Sequence, residues 1–316
     1  MGDTPSADHD GPQFRSGFAC LVGRPNAGKS TLTNALVGTK VAITSSKPQT
    51  TRHAVRGIVS RPDAQLVLID TPGLSKPRSL LQERLNDLVH TTWAEVDVIA
   101  VCFPANQHVG PGDEYLAREI AHLPARPRPV AIVTKTDLVG PERLAHQLLA
   151  VAALGDRVGI DWEHLVPCSA LDGSQLTEVA DVLIAMLAPG PVWYPDGELT
   201  DEPSETLVAE LIREAALADV RDELPHSIAV EIDEMRLRPG RAPDRPLLDI
   251  FASMVVERES QKPILIGRRA ERIKQVGIAA RRQIEALLGT PVHLDLKVRV
   301  LKQWQRDPKH LNRLGF

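Results

Sequence analysis

Compact apolar runs alternate with amphipathic stretches along the first part of the chain. Three runs have the length and the flanking turn residues of buried strands, namely 18–22, 66–69 and 129–133. Apolar residues recur at helical spacing behind the first run, at Leu32, Ala35 and Leu36. Strands that alternate with helices over residues 18–187 predict an α/β fold with a mostly parallel sheet that helices cover on both faces.

The pattern changes after a segment rich in proline and glycine. Three prolines and two glycines fall within residues 188–197, which ends the preceding helix and indicates a domain boundary. The remaining chain is predicted to form a smaller α+β domain, with a helix at 206–218, strands at 227–232 and 248–256, a further helix and a final strand. The segment 236–245, rich in Arg and Pro, is predicted to be a loop between the two strands.

Composition and charge support a division into two parts. The 316 residues are enough for about two domains, and 43% hydrophobic residues with only 3% aromatics predict mainly aliphatic cores. The net charge of the chain is -4, yet residues 258–316 hold 14 basic and 5 acidic residues, a net charge of +9. This basic C-terminal stretch is a candidate surface for binding a polyanion.

These patterns predict the following domain organisation. The polar residues 1–16 lack the apolar core of a signal peptide and are predicted to be a disordered extension. The first domain is predicted at 17–188, a linker at 189–205, and the second domain with a C-terminal tail at 206–316.

Cysteine usage and hydropathy bear on the cellular location. Cys20, Cys102 and Cys168 lie in or beside apolar runs, so we expect buried, reduced thiols rather than a disulfide or a metal site. No run approaches the ~18 apolar residues that a membrane span needs. Both observations predict a cytoplasmic protein without a transmembrane segment.

A phosphate-binding motif follows the first predicted strand. Residues 23–30 read GRPNAGKS, which matches the pattern GxxxxGKS. In such a loop backbone NH groups point at the phosphates, Lys29 reaches the β and γ oxygens, and the Ser30 hydroxyl ligates Mg²⁺. The alternative, a glycine-rich turn without a ligand, is disfavoured by the strand before the motif and the helix after it. The predicted nucleotide-binding residues here are Gly23, Asn26, Ala27, Gly28, Lys29, Ser30 and Thr31.

Further motifs follow later strands and point to a GTPase. Asp70 ends a strand, where its carboxylate can help to hold Mg²⁺, and the NH of Gly73 can approach a γ-phosphate. Residues 134–137, TKTD, resemble the guanine-reading NKxD loop, with Thr134 where the pattern usually has Asn. Residues 166–170, VPCSA, resemble the last nucleotide-contacting loop. The predicted guanine-site residues are Thr134, Lys135, Asp137, Ser169 and Ala170.

Asp137 is the residue predicted to select the base. One carboxylate can accept hydrogen bonds from both the N1 and the N2 donors of guanine, and adenine offers no such pair. The alternative role for Asp137 is a helix cap. Thr134 lacks the amide that usually braces the loop and contacts the base edge. We therefore expect a weaker guanine preference, which Asp137 still maintains.

A polar stretch between the first two motifs is predicted to be a mobile loop that reaches the nucleotide. Residues 45–53 show no periodicity, and either Thr50 or Thr51 can close over Mg²⁺ and the γ-phosphate. Leu74 stands where many GTPases carry the glutamine that orients the attacking water, which predicts slow intrinsic hydrolysis. Asn26 resembles the asparagine of GTPases that use K⁺. The predicted catalytic residues are Lys29, Thr50, Thr51, Asp70 and Gly73, and the predicted metal ligands are Ser30, Thr51 and Asp70.

The basic stretch contains a candidate RNA-binding turn. Residues 264–274 resemble the KH-domain turn, in which a GxxG loop between two helices clamps a single-stranded RNA backbone. Gly267 matches the first glycine, and Ala270 replaces the second. The predicted RNA-binding residues are Gly267, Arg268, Arg269, Lys274 and Arg281. For Arg281 and its neighbour Arg282, a solvated helix face and an RNA contact both remain open.

Taken together, these motifs make the chain similar to the Era family of ribosome-assembly GTPases over about 18–304. Further matching segments are 47–53, 212–214 and 223–227. The resemblance implies a P-loop GTPase domain followed by a KH-type RNA-binding domain, with GTP and Mg²⁺ as ligands. It implies binding near the 3′ end of small-subunit (16S) rRNA, a role in 30S subunit assembly, and release of the RNA on GTP hydrolysis.

Other classes of function remain open beside this resemblance. A signalling GTPase would use the second domain to bind a protein, and an RNA-binding module with incidental nucleotide occupancy would bind RNA equally well with GDP and GTP. Peripheral association with the inner membrane surface also stays open.

Overall fold

The computed structural model describes residues 13–45, 47, 50–124, 127–218 and 227–316. Within these residues the chain forms two units, built on a six-stranded and a three-stranded sheet. The predicted N-terminal extension lies outside the described residues as far as residue 12, and so does most of the matching segment 223–227. Arg15 and Ser16 already belong to the first strand, in which Arg15 pairs with Ala64.

The first sheet is mostly parallel, as the apolar runs predict. Its strands are β1 (Arg15–Val22), β2 (Val55–Arg61), β3 (Ala64–Asp70), β4 (Val98–Pro104), β5 (Arg128–Thr134) and β6 (His164–Pro167). The order across the sheet is β2-β3-β1-β4-β5-β6, and only the β2–β3 pair is antiparallel. The carboxyl ends of the parallel strands therefore meet at one edge, where ligands bind in sheets of this type.

Helices cover both faces of this sheet. They are α1 (Lys29–Val37), α2 (Leu80–Glu95), α3 (Pro111–Ala121), α4 (Pro141–Val158) and α5 (Leu176–Ala185). Alternate residues of β1 enter two separate apolar clusters: Ala19 and Leu21 pack with α1 and α5, whereas Cys20 and Val22 pack with α2, α3 and α4. Alternation of side chains along a strand accounts for this division.

The predicted linker lies along the first sheet. The backbone NH groups of Trp193 and Tyr194 donate to the side-chain oxygen of Gln65, at 2.7 and 2.9 Å. The NH of Ile58 donates to the carbonyl oxygen of Leu199 at 2.9 Å. The proline-rich segment therefore contacts β2 and β3 rather than hanging free between the two units.

The second unit has the predicted order of helix, two strands, helix and strand. Its elements are α6 (Ser204–Leu217), β7 (Ala229–Leu237), β8 (Leu248–Val256), α7 (Lys262–Ile266), α8 (Glu271–Leu288), β9 (Val292–Val300) and α9 (Pro308–Arg313). Strand β8 pairs with β7 antiparallel and with β9 parallel. Residues of α6 and α8, including Leu211 and Ala280, are buried with Ile250 and Met254 of β8 in one apolar cluster.

The structure corrects the predicted loop at 236–245. Strand β7 continues to Leu237 because Arg236 and Leu237 still pair with Asp249 and Leu248 of β8. The loop therefore covers 238–247, displaced by two residues from the prediction but of the same length.

The cysteines and the hydropathy of the helices bear on the predicted cellular location. All three cysteines are buried free thiols, and burial raises the pKa of the Cys20 thiol to about 12. Among the residues that the structure describes, none of the helices combines the length and the hydropathy needed to cross a membrane.

Candidate nucleotide and RNA sites

The phosphate loop, residues 23–30, connects β1 to α1 at the carboxyl edge of the first sheet. A Cβ atom at Gly23 would lie 2.8 Å from the carbonyl oxygen of Cys102, so the close approach of the two strands requires glycine here. The Lys29 ammonium donates to the carbonyl oxygens of Gly23 and Arg24, at 3.1 and 3.3 Å. The loop thus orients this cation towards the cavity that it encloses.

The predicted metal ligands converge beside the loop. The Ser30 hydroxyl donates to Oδ2 of Asp70 at 2.5 Å, and the Thr51 hydroxyl donates to the same oxygen at 3.2 Å. The other carboxylate oxygen, Oδ1, is buried without a hydrogen-bond partner among the described residues. Burial raises the pKa of Asp70. Two hydroxyls around an unbalanced buried carboxylate form an oxygen donor set that fits Mg²⁺.

The structure separates the two candidate threonines. Thr51 lies with Ser30 and Asp70, whereas the Thr50 hydroxyl donates to the carbonyl oxygen of Lys47 at 2.6 Å. Thr51 is therefore the threonine that reaches the metal ligands, and the Thr50 side chain has a local role in the loop. Ser46, Pro48 and Gln49 lie outside the described residues.

A cavity of about 400 Å³ lies beside these groups, and Asp70 itself is not part of its lining. The predicted site residues that line it are Asn26, Gly28, Lys29, Ser30, Thr31, Thr50, Thr51, Gly73 and Lys135. Leu74 instead packs against the apolar cluster of α2, α3 and α4. This position supplies no polar group to orient water, and slow intrinsic hydrolysis stays a prediction.

We expect Asp70→Asn to remove the response to Mg²⁺ without lowering the stability of the ligand-free protein. Because burial raises the pKa of Asp70, the charged form costs stability once the pH exceeds the ordinary pKa of a carboxyl, and an amide of the same shape avoids this cost. Thermal melting without ligands at neutral pH should give an equal or higher Tm. The rise in Tm on adding Mg²⁺ and a nonhydrolysable GTP analogue should be strongly reduced. A lower ligand-free Tm would contradict the assignment.

The guanine-site residues are joined by a chain of hydrogen bonds. The Thr134 hydroxyl donates to the carbonyl oxygen of Ala27 at 2.6 Å, and the Lys135 ammonium donates to that of Asn26 at 2.6 Å. The Ser169 hydroxyl donates to Oδ1 of Asp137, also at 2.6 Å. Thr134 therefore braces the phosphate loop with its hydroxyl although it lacks the usual amide, and the weaker guanine preference stays a prediction.

The structure excludes the alternative role of Asp137 as a helix cap, and base selection stays a prediction. The short 3₁₀ turn Thr136–Leu138 has Lys135 as its N-cap, so Asp137 lies inside the turn and is not the cap. Ser169 holds the carboxylate, and Ala170 packs on the core beside it. Asp137 is thus oriented by a side chain from the last nucleotide-contacting loop.

The loop between α1 and β2, here called the switch loop (residues 38–54), binds the second unit on both sides of Thr51. On one side, the Thr50 carbonyl accepts a hydrogen bond from Arg213 of α6. On the other side, Arg52 donates to the carbonyl oxygen of Ile228 at 2.7 Å, and its guanidinium lies 5.7 Å from the centre of the Trp304 ring. Burial lowers the pKa of Arg52 to about 9.

Further contacts lengthen this interface. His53 stacks on Phe316 with ring centres 5.0 Å apart, and burial lowers the pKa of His53. Earlier in the switch loop, the NH and the hydroxyl of Thr44 donate to Glu214 at 2.8 and 3.1 Å. Ile43 enters the apolar core of the second unit.

The helix after Gly73 also contacts the second unit. Leu81 and Leu85 of α2 are buried with Trp304 and Leu311 in one apolar cluster. The NH of Leu81 donates to the carbonyl oxygen of Gln305 at 3.0 Å. Both chain segments that follow the metal ligands therefore touch the second unit.

The sequence did not predict several of the contacts around the site. Arg24 of the phosphate loop donates to Asp113 of α3 at 2.7 Å, which ties the loop to a neighbouring helix. Arg213 and Glu214 were noted only as part of a matching segment, without roles. The one available signal for Arg24 was its charge within the phosphate motif, and this charge does not identify the partner.

The predicted RNA turn lies between α7 and α8. A Cβ atom at Gly267 would lie 2.7 Å from the Cβ atom of Arg272, so this position requires glycine. Arg269 and Ala270 have left-handed backbone conformations, with φ of 51° and 62°. Ala270 thus adopts the conformation that glycine would adopt more easily.

A cleft of about 460 Å³, here called the basic cleft, opens beside this turn. Its polar lining residues are Arg269, Lys274, Arg281, His293 and Asp295. Arg268 is exposed next to the cleft. His293 and Asp295 come from β9 and were not predicted, because only the register of the second sheet places them opposite α8.

The fold and the two sites define a class of protein, which comparison with known families supports. Residues 18–135 match a family described as "50S ribosome-binding GTPase". Residues 223–305 match the KH domain family. The chain is therefore a P-loop GTPase with a C-terminal KH domain.

Comparison with individual proteins shows the family. GTPase Era of Streptomyces coelicolor is 64% identical over 302 residues, covering 96% of this chain and 95% of the relative. GTPase Era of Nocardioides sp. is 61% identical over 305 residues, covering 96% and 97%. The chain belongs to the Era family of GTPases.

Two solved structures resemble the whole fold. A crystal structure of Era with MgGDPNP and nucleotides 1506–1542 of 16S ribosomal RNA superposes with a TM-score of 0.89 at 34% identity, covering 96% of this chain and 99% of that one. A single-residue variant of Aquifex aeolicus Era bound to GDP and AlF₄⁻ has the same TM-score at 33% identity and the same coverage.

Proposed function

We propose that this protein binds the 3′ end of 16S rRNA through its KH domain in the GTP-bound state, acts in 30S subunit assembly, and releases the RNA after GTP hydrolysis. The observation that carries this proposal is the switch loop, which presents Thr51 to the metal ligands while Arg213 and Arg52 bind it to the second unit. Any movement of Thr51 with the nucleotide state must strain or release those contacts.

On the nucleotide side, each predicted residue has a defined task. Lys29 and the loop NH groups hold the phosphates, and the Gly73 NH donates to the γ-phosphate. Ser30, Thr51 and Asp70 would hold Mg²⁺, which when bound neutralises charge on the phosphate oxygens.

The base is held by residues outside the lining of the cavity, which Lys135 connects to it. Asp137 accepts hydrogen bonds from guanine, and Ser169 keeps the carboxylate in place. Lys135 covers the site through its contact with the Asn26 carbonyl, and the NH of Ala170 meets the guanine oxygen. Thr134 contributes by bracing the phosphate loop.

On the RNA side, the basic cleft holds a single strand. The turn at Gly267 brings the backbone close to RNA phosphates, and Arg268, Arg269, Lys274 and Arg281 neutralise them. The domain limits that we propose are 17–188 for the GTPase domain and 206–316 for the KH domain with its tail, joined by 189–205.

Binding of the purified chain to RNA tests this function. An RNA matching the 3′ end of 16S rRNA and a scrambled RNA are titrated with GDP and with a nonhydrolysable GTP analogue. Tighter binding of the matching RNA with the analogue supports the proposal. Equal binding of both RNAs in both states would contradict it, and binding to a protein instead would favour a signalling GTPase.

We also propose that K⁺ assists hydrolysis through Asn26. This residue has a left-handed backbone with φ of 62°, which glycine adopts without strain, so Asn26→Gly removes the amide alone. The wild-type chain should hydrolyse GTP faster in K⁺ than in Na⁺, and the variant should lose the difference. Equal rates in the two salts for the wild type would exclude a role for K⁺.

The cellular location is part of the same proposal. The protein works in the cytoplasm, where small subunits assemble. It also makes peripheral contact with the inner membrane surface. Flotation of the purified chain with vesicles of anionic lipid tests that contact, and absence of the protein from the vesicle fraction would remove it.

A further inference from the structure

A basic hairpin projects from the KH domain at a distance from the predicted RNA turn. The tip of this hairpin, here called the arginine hairpin (residues 236–245), comprises the last two residues of β7 and most of the loop that leads to β8. The charged residues of the tip are Arg236, Arg238, Arg241, Asp244 and Arg245, four cations against one carboxylate.

The root of the arginine hairpin is held firmly. Nε and Nη2 of Arg238 donate to the two oxygens of Asp249, with distances between 2.6 and 3.1 Å. The NH of Arg238 also donates to the carbonyl oxygen of Leu247 at 2.8 Å. A bidentate ion pair and a strand hydrogen bond together fix the direction of the tip.

The other arginines of the tip are available to a ligand. Arg245 is 83% exposed and lies 3.9 Å from Asp244, at the limit of an ion pair. Arg236 is 57% exposed, with a contact to the exposed Glu234. Arg241 is exposed, and within the described residues no acidic group pairs with it. Exposed ion pairs are weak, so a phosphate can displace them.

Strand register places the arginine hairpin at the same end of the sheet as the basic cleft. Arg236 of β7 is paired with Asp249 of β8, and Asp249 is paired with His293 of β9. His293 in turn lines the basic cleft. Since neighbouring strands lie about 4.8 Å apart, the root of the hairpin is roughly 10 Å from the cleft.

We infer that the arginine hairpin is a second RNA contact, which binds backbone phosphates of the strand where that strand extends beyond the basic cleft. This inference rests on the proposed function, because it needs RNA in the cleft. Its own support is the position of the tip beside the cleft and its exposed arginines: Arg236 and Arg245 have only exposed ion pairs, and Arg241 has no acidic partner among the described residues. Such contacts add affinity without sequence preference.

Binding of a short and a long RNA to charge variants tests the inference. The short RNA has about four nucleotides, which one KH groove clamps, and the long RNA extends it on both sides. The test variant is Arg241→Gln with Arg245→Gln. The matched control is Arg118→Gln with Arg157→Gln, two exposed arginines of α3 and α4. Unchanged GTP binding and Tm establish that each variant is folded.

We expect the hairpin variant to bind the long RNA about fivefold more weakly for each arginine removed. The slope of log K against log salt should become shallower by about 0.7 for each phosphate that the variant no longer neutralises. Affinity for the short RNA, and both affinities of the control variant, should stay at the wild-type values.

The possible failures are distinguishable. If the wild type binds neither RNA in either nucleotide state, the proposed function fails and the inference fails with it. If the wild type binds both RNAs and the hairpin variant matches the control, the inference alone is wrong. A hairpin variant that loses binding to anionic vesicles while its RNA affinity is unchanged also overturns the inference, since the tip would then contact a membrane.

Discussion

Replacing Asp137 by Asn should change the base that the protein prefers from guanine to xanthine. The wild-type carboxylate can accept from the two adjacent donors of guanine, whereas the amide of the variant presents a donor to one of them. Loss of one hydrogen bond to a charged group costs about 1.5–3 kcal/mol, and two donors left facing each other unpaired cost about 1–3 kcal/mol more, which together predict GTP binding weaker by a factor of about 10² to 10⁴. Xanthine carries an oxygen in place of the amino group and can accept from the new amide.

The measurement is the affinity of the variant for GDP and xanthosine diphosphate by calorimetry. Asp172→Asn is the matched control, because Asp172 lies in the same loop region and its carboxylate accepts from the NH of Ser174. The control should keep the wild-type affinity for GDP. If Asp137→Asn binds GDP as tightly as the wild type, then Asp137 does not read the base.

The nucleotide site was largely predictable from sequence because its parts are local. Each motif directly follows a buried strand, and parallel strands bring their carboxyl ends to one edge of the sheet. Asp70 and Thr134 therefore had to lie near the phosphate loop once the strands were recognised. The residue types also limit the chemistry, since hydroxyls and a carboxylate are ligands for Mg²⁺.

The choice between Thr50 and Thr51 was not predictable in this way. Thr50 and Thr51 are adjacent residues of the same type, so the sequence around them does not distinguish them. Which of them reaches Asp70 depends on contacts with residues that are distant in the sequence. Arg213 of α6 donates to the Thr50 carbonyl, and the Thr51 hydroxyl donates to Asp70. The sequence separation between Arg213 and the switch loop leaves no local signal for this contact.

Sheet register and segment packing account for the other differences. His293 reaches the basic cleft only because β9 pairs with β8 in one register. The proline-rich segment ends a helix as predicted, but Gln65 of β3 determines where it lies. The proline and glycine content identifies where regular structure ends. Tertiary hydrogen bonds determine the path of the segment that follows.

The second large effect is expected from a buried ion pair within α6, Arg213 with Glu210, whose arginine also donates to the Thr50 carbonyl of the switch loop. Arg213 is 1% exposed and pairs with the largely buried Glu210. Burial tends to raise the pKa of Glu210, but Arg213 outweighs it and the net effect is a lowered pKa. Arg213→Met alone leaves this carboxylate unbalanced, so we expect a loss of about 3–5 kcal/mol in the free energy of unfolding.

Adding Glu210→Gln to Arg213→Met should restore most of that stability, because both members of the buried pair are then neutral. The Thr50 carbonyl nevertheless stays unbound, so α6 no longer follows the position of Thr51. The ratio of the RNA dissociation constants with GDP and with a nonhydrolysable GTP analogue should therefore fall towards one, although the double variant is folded and binds both nucleotides.

An exposed ion pair of the GTPase domain supplies the control for this double variant. Arg128→Met with Glu163→Gln removes a surface pair and should cost less than about 1 kcal/mol. The control should also keep the wild-type dependence of RNA affinity on nucleotide. If the Glu210 and Arg213 double variant keeps that dependence as well, the nucleotide signal must reach the KH domain without this pair, through Arg52 or through the packing of α2 on Trp304.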